Sequence, residues 1–426
     1  MRYEKIPKTL FIKNRERFAQ KIRPGSLAFF TSNETMPTNR DGVMGFIQNS
    51  NLFYFSGIDQ EDTHLLIGKP INSEQVEEIL FIRETNETIK IWEGDKLSMH
   101  KANDNSGIAR IHWSKDFWLQ LEQISKNYNR FLFYDDTASQ AELCFISRET
   151  EFQKQIKKRF PHYKYQKTNS IVDALREIKQ PEEIKLVKQA IEITRKAFEN
   201  IAVILRPQIQ EYEIEAEISY VFLCNKSRRH AFQPIVASGK NACVLHYVEN
   251  KKQCLENELV LIDFGAEYGN YNADMTRTLP VNGFFTPRQK EIYDAVLRVL
   301  VATKSRMIPG NTLENLNKEA KAFMGQELIN VGLITAEQLE EEPKIVSTYF
   351  PHSVSHFLGL DVHDVGNKKH KFEPGMLLTC EPGIYIKEEN IGIRLENDIL
   401  ITEDGHLDLM AHIPITSEEI ENLLDQ

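Results

Sequence analysis

ELVLIDFGAEYGNYNADMTRTLPV, residues 258–281, is the stretch on which the reading of this chain turns. ELVLIDFGAEY and NYNADMTRTLPV have the makings of two strands joined by a turn around Gly269-Asn270. An antiparallel register brings Asp263 and Asp274 close on adjoining strands. Asp263 ends the apolar run LVLI, and an acid there is unfavourable unless it is paired or metal-bound. Taken singly, an aspartate in either place is usually a cap or turn residue. Asp263 also opens a DFG triplet like that of the kinase magnesium motif, but neither an HRD loop nor a Gly-rich loop accompanies it.

A second pair of strands is expected further on. MLLTCEPGIYI (376–386) precedes IGIRLENDILIT (391–402). Glu381 stands where Pro-Gly breaks the first of these. Arg394 and Glu396 alternate along the second and so share a face. The bland alternative for them is an ordinary surface ion pair. Between the two strand pairs lies PHSVSHFLGLDVHD (351–364), with His352, His356 and His363 close together beside acids. A single histidine is usually a core or surface residue; three so close suit proton transfer near neutral pH. His246 in VLHYVEN is a weaker candidate.

If Asp263, Asp274, His356, Glu381 and Glu396 converge, they need cations, because four carboxylates within a few ångströms repel one another. Two divalent ions bring them to formal neutrality. A donor set this rich in oxygen suits Mn2+, with Co2+ or Zn2+ as competitors, rather than a structural zinc site. Paired metals serve hydrolysis of an amide or ester.

Outward from this core, alternating helices and strand pairs continue through the C-terminal half. Pro181 followed by Glu182 and Glu183 marks a helix start, a further helix is expected at 210–222, and Thr286-Pro287 and Asn311-Thr312 open two more. The N-terminal part reads as an α/β layer. Strands are expected at 26–32, 52–58, 64–68, 77–84 and 130–136, and a helix at 117–128. The polar segment FPHYKYQKTNS separates the two parts, giving expected domains 1–174 and 175–426.

The 426 residues carry a formal charge of -10 with both signs dispersed, which leaves no basic face for nucleic acid. No Gly-rich phosphate loop is present. No apolar run is long enough to span a bilayer, and MRYEKIPKTLFIKNRERF does not read as a signal peptide. Cysteines 144, 224, 243, 254 and 380 are odd in number and widely spaced, so neither a disulfide framework nor a zinc ribbon is expected and a reducing cytoplasm is the expected compartment.

In combination and in order, LVLIDFGAEY, GNYNADMTRTLPVNG, HFLGLDVHDVG, LTCEPGIYI and GIRLENDILIT resemble aminopeptidase P, a family of the M24 metallopeptidases that share the pita-bread fold with prolidase and methionine aminopeptidase. RPGSLAFF, FIQNSNLFYFSGI and IWEGDKLS resemble that family's smaller N-terminal α/β domain. The resemblance implies that Asp263 binds one metal, His356 and Glu381 the other, and that Asp274 and Glu396 bridge both. It implies a hydroxide between the metals that attacks the scissile carbonyl, with Glu381 as acid/base partner. His363 would stabilise the tetrahedral intermediate, His246 and His352 would contact substrate or shuttle protons, and Arg394 would hold the carboxylates in place. Tyr385 and Trp92 are candidates for packing around a substrate proline, Trp92 through a neighbouring subunit of a dimer or tetramer. The implied reaction is release of the first residue from peptides with proline second. The bond before proline is a tertiary amide with no N–H, which most peptidases cannot position. Prolidase activity on Xaa-Pro dipeptides is the nearest rival; an inactive pita-bread binding module would have lost ligands that this chain retains. Ala242, where relatives often have glycine, and the AFQPIVASG segment depart from the pattern without touching a ligand.

Overall fold

The computed structural model describes residues 3–135 and 147–425. The chain forms two compact units, one spanning Lys5–Leu175 and a larger one from Arg176 onward that also takes in Glu4, whose amide donates to the Tyr268 hydroxyl.

The smaller unit is built on a six-stranded sheet in the order Arg110–Trp113, Glu77–Ile82, His64–Lys69, Ser26–Thr31, Arg130–Phe133, Lys164–Lys167. The strand Ser26–Thr31 pairs antiparallel with His64–Lys69 and parallel with Arg130–Phe133. Its alternate residues serve two cores. Leu27 and Phe29 join Phe131, Phe133, Phe117 and Phe152 on one face, while Phe30 meets Phe18 and Phe55 on the other. A strand buried on both faces reads as a continuous apolar run, which is why these strands are visible in the sequence.

One expected strand is a helix. Residues 50–56, SNLFYFS, are helical. The Asn49 side chain accepts from the amides of Asn51 and Leu52, and Gly57 closes the helix at φ 64°. All of residues 51–58 are buried, so the apolar residues show no preferred face and periodicity cannot separate helix from strand; the caps decide. The expected strand at 130–136 ends at Phe133, and Asp136 lies outside the described residues.

His64 is fully enclosed here, stacked on Phe152 with its Nδ1 2.9 Å from the Thr31 hydroxyl. Burial, reinforced by Arg148, pushes its pKa from 6.5 down to about 3. The folded pKa therefore lies below the unfolded one. The stability that neutral His64 contributes is present above pH 6.5 and is lost as pH falls toward 3. Between pH 7 and pH 5 this amounts to about 2 kcal/mol. His64→Gln should remove that part of the acid dependence, seen as a smaller drop in the urea midpoint between the two pH values. An unchanged drop would contradict the assignment.

The larger unit pairs helix Pro181–Ile204 with Glu211–Cys224, and Pro287–Lys304 with Leu313–Asn330. Their starts are chemically marked. Gln180 and Glu183 form a reciprocal cap around Pro181, Thr286 and Gln289 do so around Pro287, and Thr312 caps the fourth helix. The sheets between them are Met275–Pro280, Leu259–Phe264, Ile235–Ser238 and Leu377–Cys380, Asn397–Thr402, Gly405–Asp408, with a two-stranded ladder of Gly383–Ile386 and Ile391–Arg394. One three-stranded sheet belongs to each half of this unit, within residues 235–280 and 377–408. The halves are stitched together by Glu396 N–H to Thr276 O at 3.1 Å and by Arg394 N–H to the Thr278 hydroxyl at 3.3 Å. Among the described residues no helix is long and apolar enough to cross a membrane, and Cys224, Cys243, Cys254 and Cys380 are free thiols; Cys144 lies outside them.

Candidate active site

The first strand pair forms as its residues demand. Gly269 and Asn270 take φ of 60° and 69°, the left-handed pair of a tight hairpin turn, between the short strands Glu267–Tyr268 and Tyr271–Asn272. Below the turn the ladder resumes with Thr276 opposite Asp263 and Met275 opposite Phe264. Gly265 lies so close to the Ala273 carbonyl that no side chain fits there. This explains the glycine after Asp263: it lets the two aspartate-bearing segments close together.

The second pair is interrupted rather than continuous. Leu377–Cys380 pairs with Asn397–Thr402, and Gly383–Ile386 with Ile391–Arg394. Glu381 and Glu396 occupy the matching breaks, where neither is tied into a ladder and both side chains turn into the same cavity. Arg394 and Glu396 are 4% and 2% exposed, which excludes the surface-pair reading.

Asp263, Asp274, His356, Glu381 and Glu396 all line one cavity of about 520 Å³, with His246, His352, His363 and Arg394 around them. Asp274, His356 and Glu396 each offer a ligand atom within 4.8 Å of the others. His356 Nε2 is 3.4 Å from Asp274 Oδ2 and 3.6 Å from Glu381 Oε1. His356 Nδ1 lies 2.9 Å from the Phe357 carbonyl; donation there leaves Nε2 unprotonated, its lone pair facing the acids and suited to ligate a cation. Asp263 is reached through Arg394, whose Nη2 donates to its Oδ2 at 2.5 Å. Its Oδ1 is buried with no hydrogen-bond partner among the described residues.

The electrostatics are severe. Burial and then Asp263, Asp398 and Glu381 push Asp274 well above the usual carboxylate range. Burial and then Asp274, Glu381 and Asp263 do the same to Glu396. Burial also raises Glu381. Arg394 is the guanidinium among four acids. Burial opposes its charge, but Tyr385, Asp263 and Glu396 hold its pKa well above normal. An unpartnered buried carboxylate oxygen, an imidazole nitrogen aimed at two acids and a surplus of negative charge are what a pair of hard divalent cations would satisfy.

Tyr385 does not wall the cavity. It is 4% exposed, packed on Ile235, Ala237 and Leu261, and its hydroxyl sits 2.9 Å from Arg394 Nη1 and 2.8 Å from His352 Nε2. With His352 Nδ1 against the Ser353 carbonyl, the Tyr385 O–H donates to Nε2 and fixes the ring. Beside the packing role expected of its ring, the hydroxyl thus has a polar one, between Arg394 and His352. Trp92 belongs to the smaller unit, on helix Glu87–Glu93, and is 82% exposed.

Three contributors are not evident from the sequence. The Thr276 hydroxyl donates to Glu396 Oε2 at 2.7 Å and receives Arg394 Nε at 3.1 Å. Thr379 accepts the His356 amide at 3.2 Å. Asp398, fully buried, accepts the Asp274 amide at 3.3 Å. Thr276 follows Asp274 at the strand period of two, the one signal that points to it.

The chain has similar relatives among known proteins. The model of metallopeptidase family M24 matches residues 185–403, and that of the aminopeptidase P N-terminal domain matches residues 11–134. The chain is 33% identical to the Xaa-Pro aminopeptidase of Escherichia coli K12 over 98% of both chains. It is 32% identical to that of Haemophilus influenzae over 99% of this chain and 98% of the other. Aminopeptidase P from Escherichia coli, solved with the inhibitor Pro-Leu, superposes with a TM-score of 0.88 at 32% identity, covering 99% of each chain. Its zinc-substituted form in complex with product gives 0.89 at 31% identity, again over 99% of each. A full-length match of this kind, over both the metal-site segments and the N-terminal domain, makes the chain a member of the aminopeptidase P group of metallopeptidase family M24.

Proposed function

We propose that this protein is a metal-dependent Xaa-Pro aminopeptidase, removing the residue ahead of a proline in second position. The observation that carries this reading is the gathering of Asp263, Asp274, His356, Glu381 and Glu396 on one cavity, in a chain whose full-length relatives bear that activity in their names. These five would hold two divalent ions, with Mn2+ the favoured occupant of so oxygen-rich a set. Bound there, the ions supply Lewis-acid polarisation and a water acidified toward neutral pH.

The chain's own residues do the rest. Arg394 and Thr276 fix the orientations of Asp263 and Glu396. Tyr385 fixes His352, whose Nδ1 lies 3.7 Å from Glu381 Oε2, and Glu381, on the cavity wall, is the acid/base candidate. His246 and His363 face the cavity as hydrogen-bond partners for the substrate backbone and for the oxygen that gains charge. Phe232, Leu245, Val248, Leu313 and Val362 give an apolar wall suited to a pyrrolidine ring. Trp92, exposed on the smaller unit, is available to a neighbouring subunit in a dimer or tetramer. The free thiols fit a reducing, cytoplasmic compartment.

The test is to strip the protein with chelator, restore Mn2+, and compare a Xaa-Pro dipeptide with a Xaa-Pro-Yaa tripeptide. Mn2+-dependent cleavage of the tripeptide is expected. Cleavage of the dipeptide alone would make it a prolidase, and no metal-dependent cleavage of either would end the enzyme reading.

A further inference from the structure

Arg176 and Lys179 stand far from the active-site histidines in sequence, yet they close on the segment that carries one of them. Arg176 Nη2 donates to Asp361 Oδ2 at 2.7 Å and to Asp364 Oδ1 at 2.5 Å, across 185 and 188 residues. Lys179 Nζ is 3.0 Å from Asp364 Oδ2. The side chains of Arg176, Lys179 and Asp364 are 3%, 1% and 2% exposed. Burial works to raise the Asp364 pKa, but the two cations outweigh it and hold the carboxyl below its usual range.

The same segment is held from its other side. The Asn272 amide donates to the Gly359 carbonyl at 2.9 Å, and its side-chain Nδ2 donates to the carbonyls of Gly359 and Leu360 at 3.1 and 2.9 Å. Within it, the Asp364 amide donates to the Phe357 carbonyl and the Gly359 amide to the Asp361 carbonyl. Gly359 leaves no room for a side chain, because the Asp364 carboxylate and the Lys179 stem already fill the space. Carbonyls 359 and 360 and carboxylates 361 and 364 are thus tied down, and Val362 and His363 face the cavity between them.

Stability alone is a poor reason for this cluster, since buried ion pairs are often no better than well-packed apolar residues of the same volume. Fixing one backbone geometry is a better reason. We propose that Arg176 and Lys179 are positioning residues for His363: by clamping Asp364 and Asp361 they set where the imidazole stands over the substrate. This rests on the reading of His363 as a substrate-facing group, and assigns no contact between either cation and the substrate.

The test is a double-mutant cycle with Mn2+-loaded protein and a Xaa-Pro-Yaa tripeptide. Arg176→Gln and Lys179→Met should each lower kcat by about 10–100-fold, with metal content and KM near wild type. Arg176→Lys should fall between. In a His363→Ala background the same substitutions should add less than about 2-fold to the residual rate, because their effect passes through the missing ring. A kcat unchanged by Arg176→Gln, or a loss equally large without His363, would overturn the proposal. Should Arg176→Gln not fold, Asp361→Asn serves, because Asp361 is half exposed and its loss removes one Arg176 contact. A few-fold fall in kcat that vanishes in the His363→Ala background supports the clamp; no fall overturns it. A second readout separates this idea from the assigned activity. In histidine-labelled protein the His363 ring resonances should shift in Arg176→Gln while those of His64 stay put. If the wild type cleaves no Xaa-Pro peptide, the functional reading falls, and an unmoved His363 signal would still sink the positioning role.

Discussion

Asp274→Ala should abolish Mn2+-dependent activity and most of the metal binding, while leaving the fold intact. Asp274 sits where His356, Glu396, Glu381 and Asp263 all act on it. Its removal deletes a donor atom that no neighbour replaces, since Asp398 lies behind it, turned toward the Asp274 amide. Loss of a metal that stabilises transition-state charge by several kcal/mol corresponds to roughly 10³-fold in kcat/KM. Stability should move the other way. In the metal-free protein the buried carboxylate is repelled by its neighbours, so metal-free Asp274→Ala should melt no lower than metal-free wild type. Mn2+ at about a hundred times its dissociation constant should stabilise the wild type by about 2.7 kcal/mol and the variant by little. Elemental analysis, melting with and without Mn2+, and peptide turnover check the three parts. Full activity in Asp274→Ala would refute the metal site.

How far the sequence discloses this site depends on the kind of contact. Asp263 and Asp274 are legible because a hairpin is local: the positive-φ pair at 269–270 and the bare glycine at 265 fix the register within a dozen residues. Glu381 and Glu396 are legible as acids in apolar strands, and the structure adds why they are free to turn inward: both lie at breaks between two ladders. Tyr385 is legible only in part, because the sequence offers its ring and hides its hydroxyl's partners, Arg394 and His352. The Arg176–Asp364 clamp is invisible because only tertiary folding joins residues 188 positions apart. The helix at 50–56 is lost for a different reason, complete burial, which erases amphipathic spacing.

Arg394→Met is the other substitution with a large expected effect, and it separates the role of a fixed cation from that of bound ions. The guanidinium makes three contacts at once: Nη2 to Asp263, Nη1 to the Tyr385 hydroxyl and Nε to the Thr276 hydroxyl. Methionine fills the stem's volume but leaves Asp263 buried with neither oxygen paired among the described residues. Breaking a buried pair from one side destabilises by about 3–5 kcal/mol, and this loss should appear in full in the metal-free protein. Mn2+ should offset part of it, because ions at Asp263 and its neighbours resupply positive charge to the same carboxylates. The Mn2+-induced rise in stability should therefore be larger in Arg394→Met than in wild type, unless binding itself is lost. Arg394→Lys should restore charge without the fork that reaches three partners, recovering stability in part and leaving kcat reduced by about 10–100-fold. Denaturant midpoints for the three proteins, each with chelator and with Mn2+, decide the matter. An Arg394→Met protein as stable as wild type under chelator would mean that Asp263 does not depend on this cation, and the charge balance drawn for the site would be wrong.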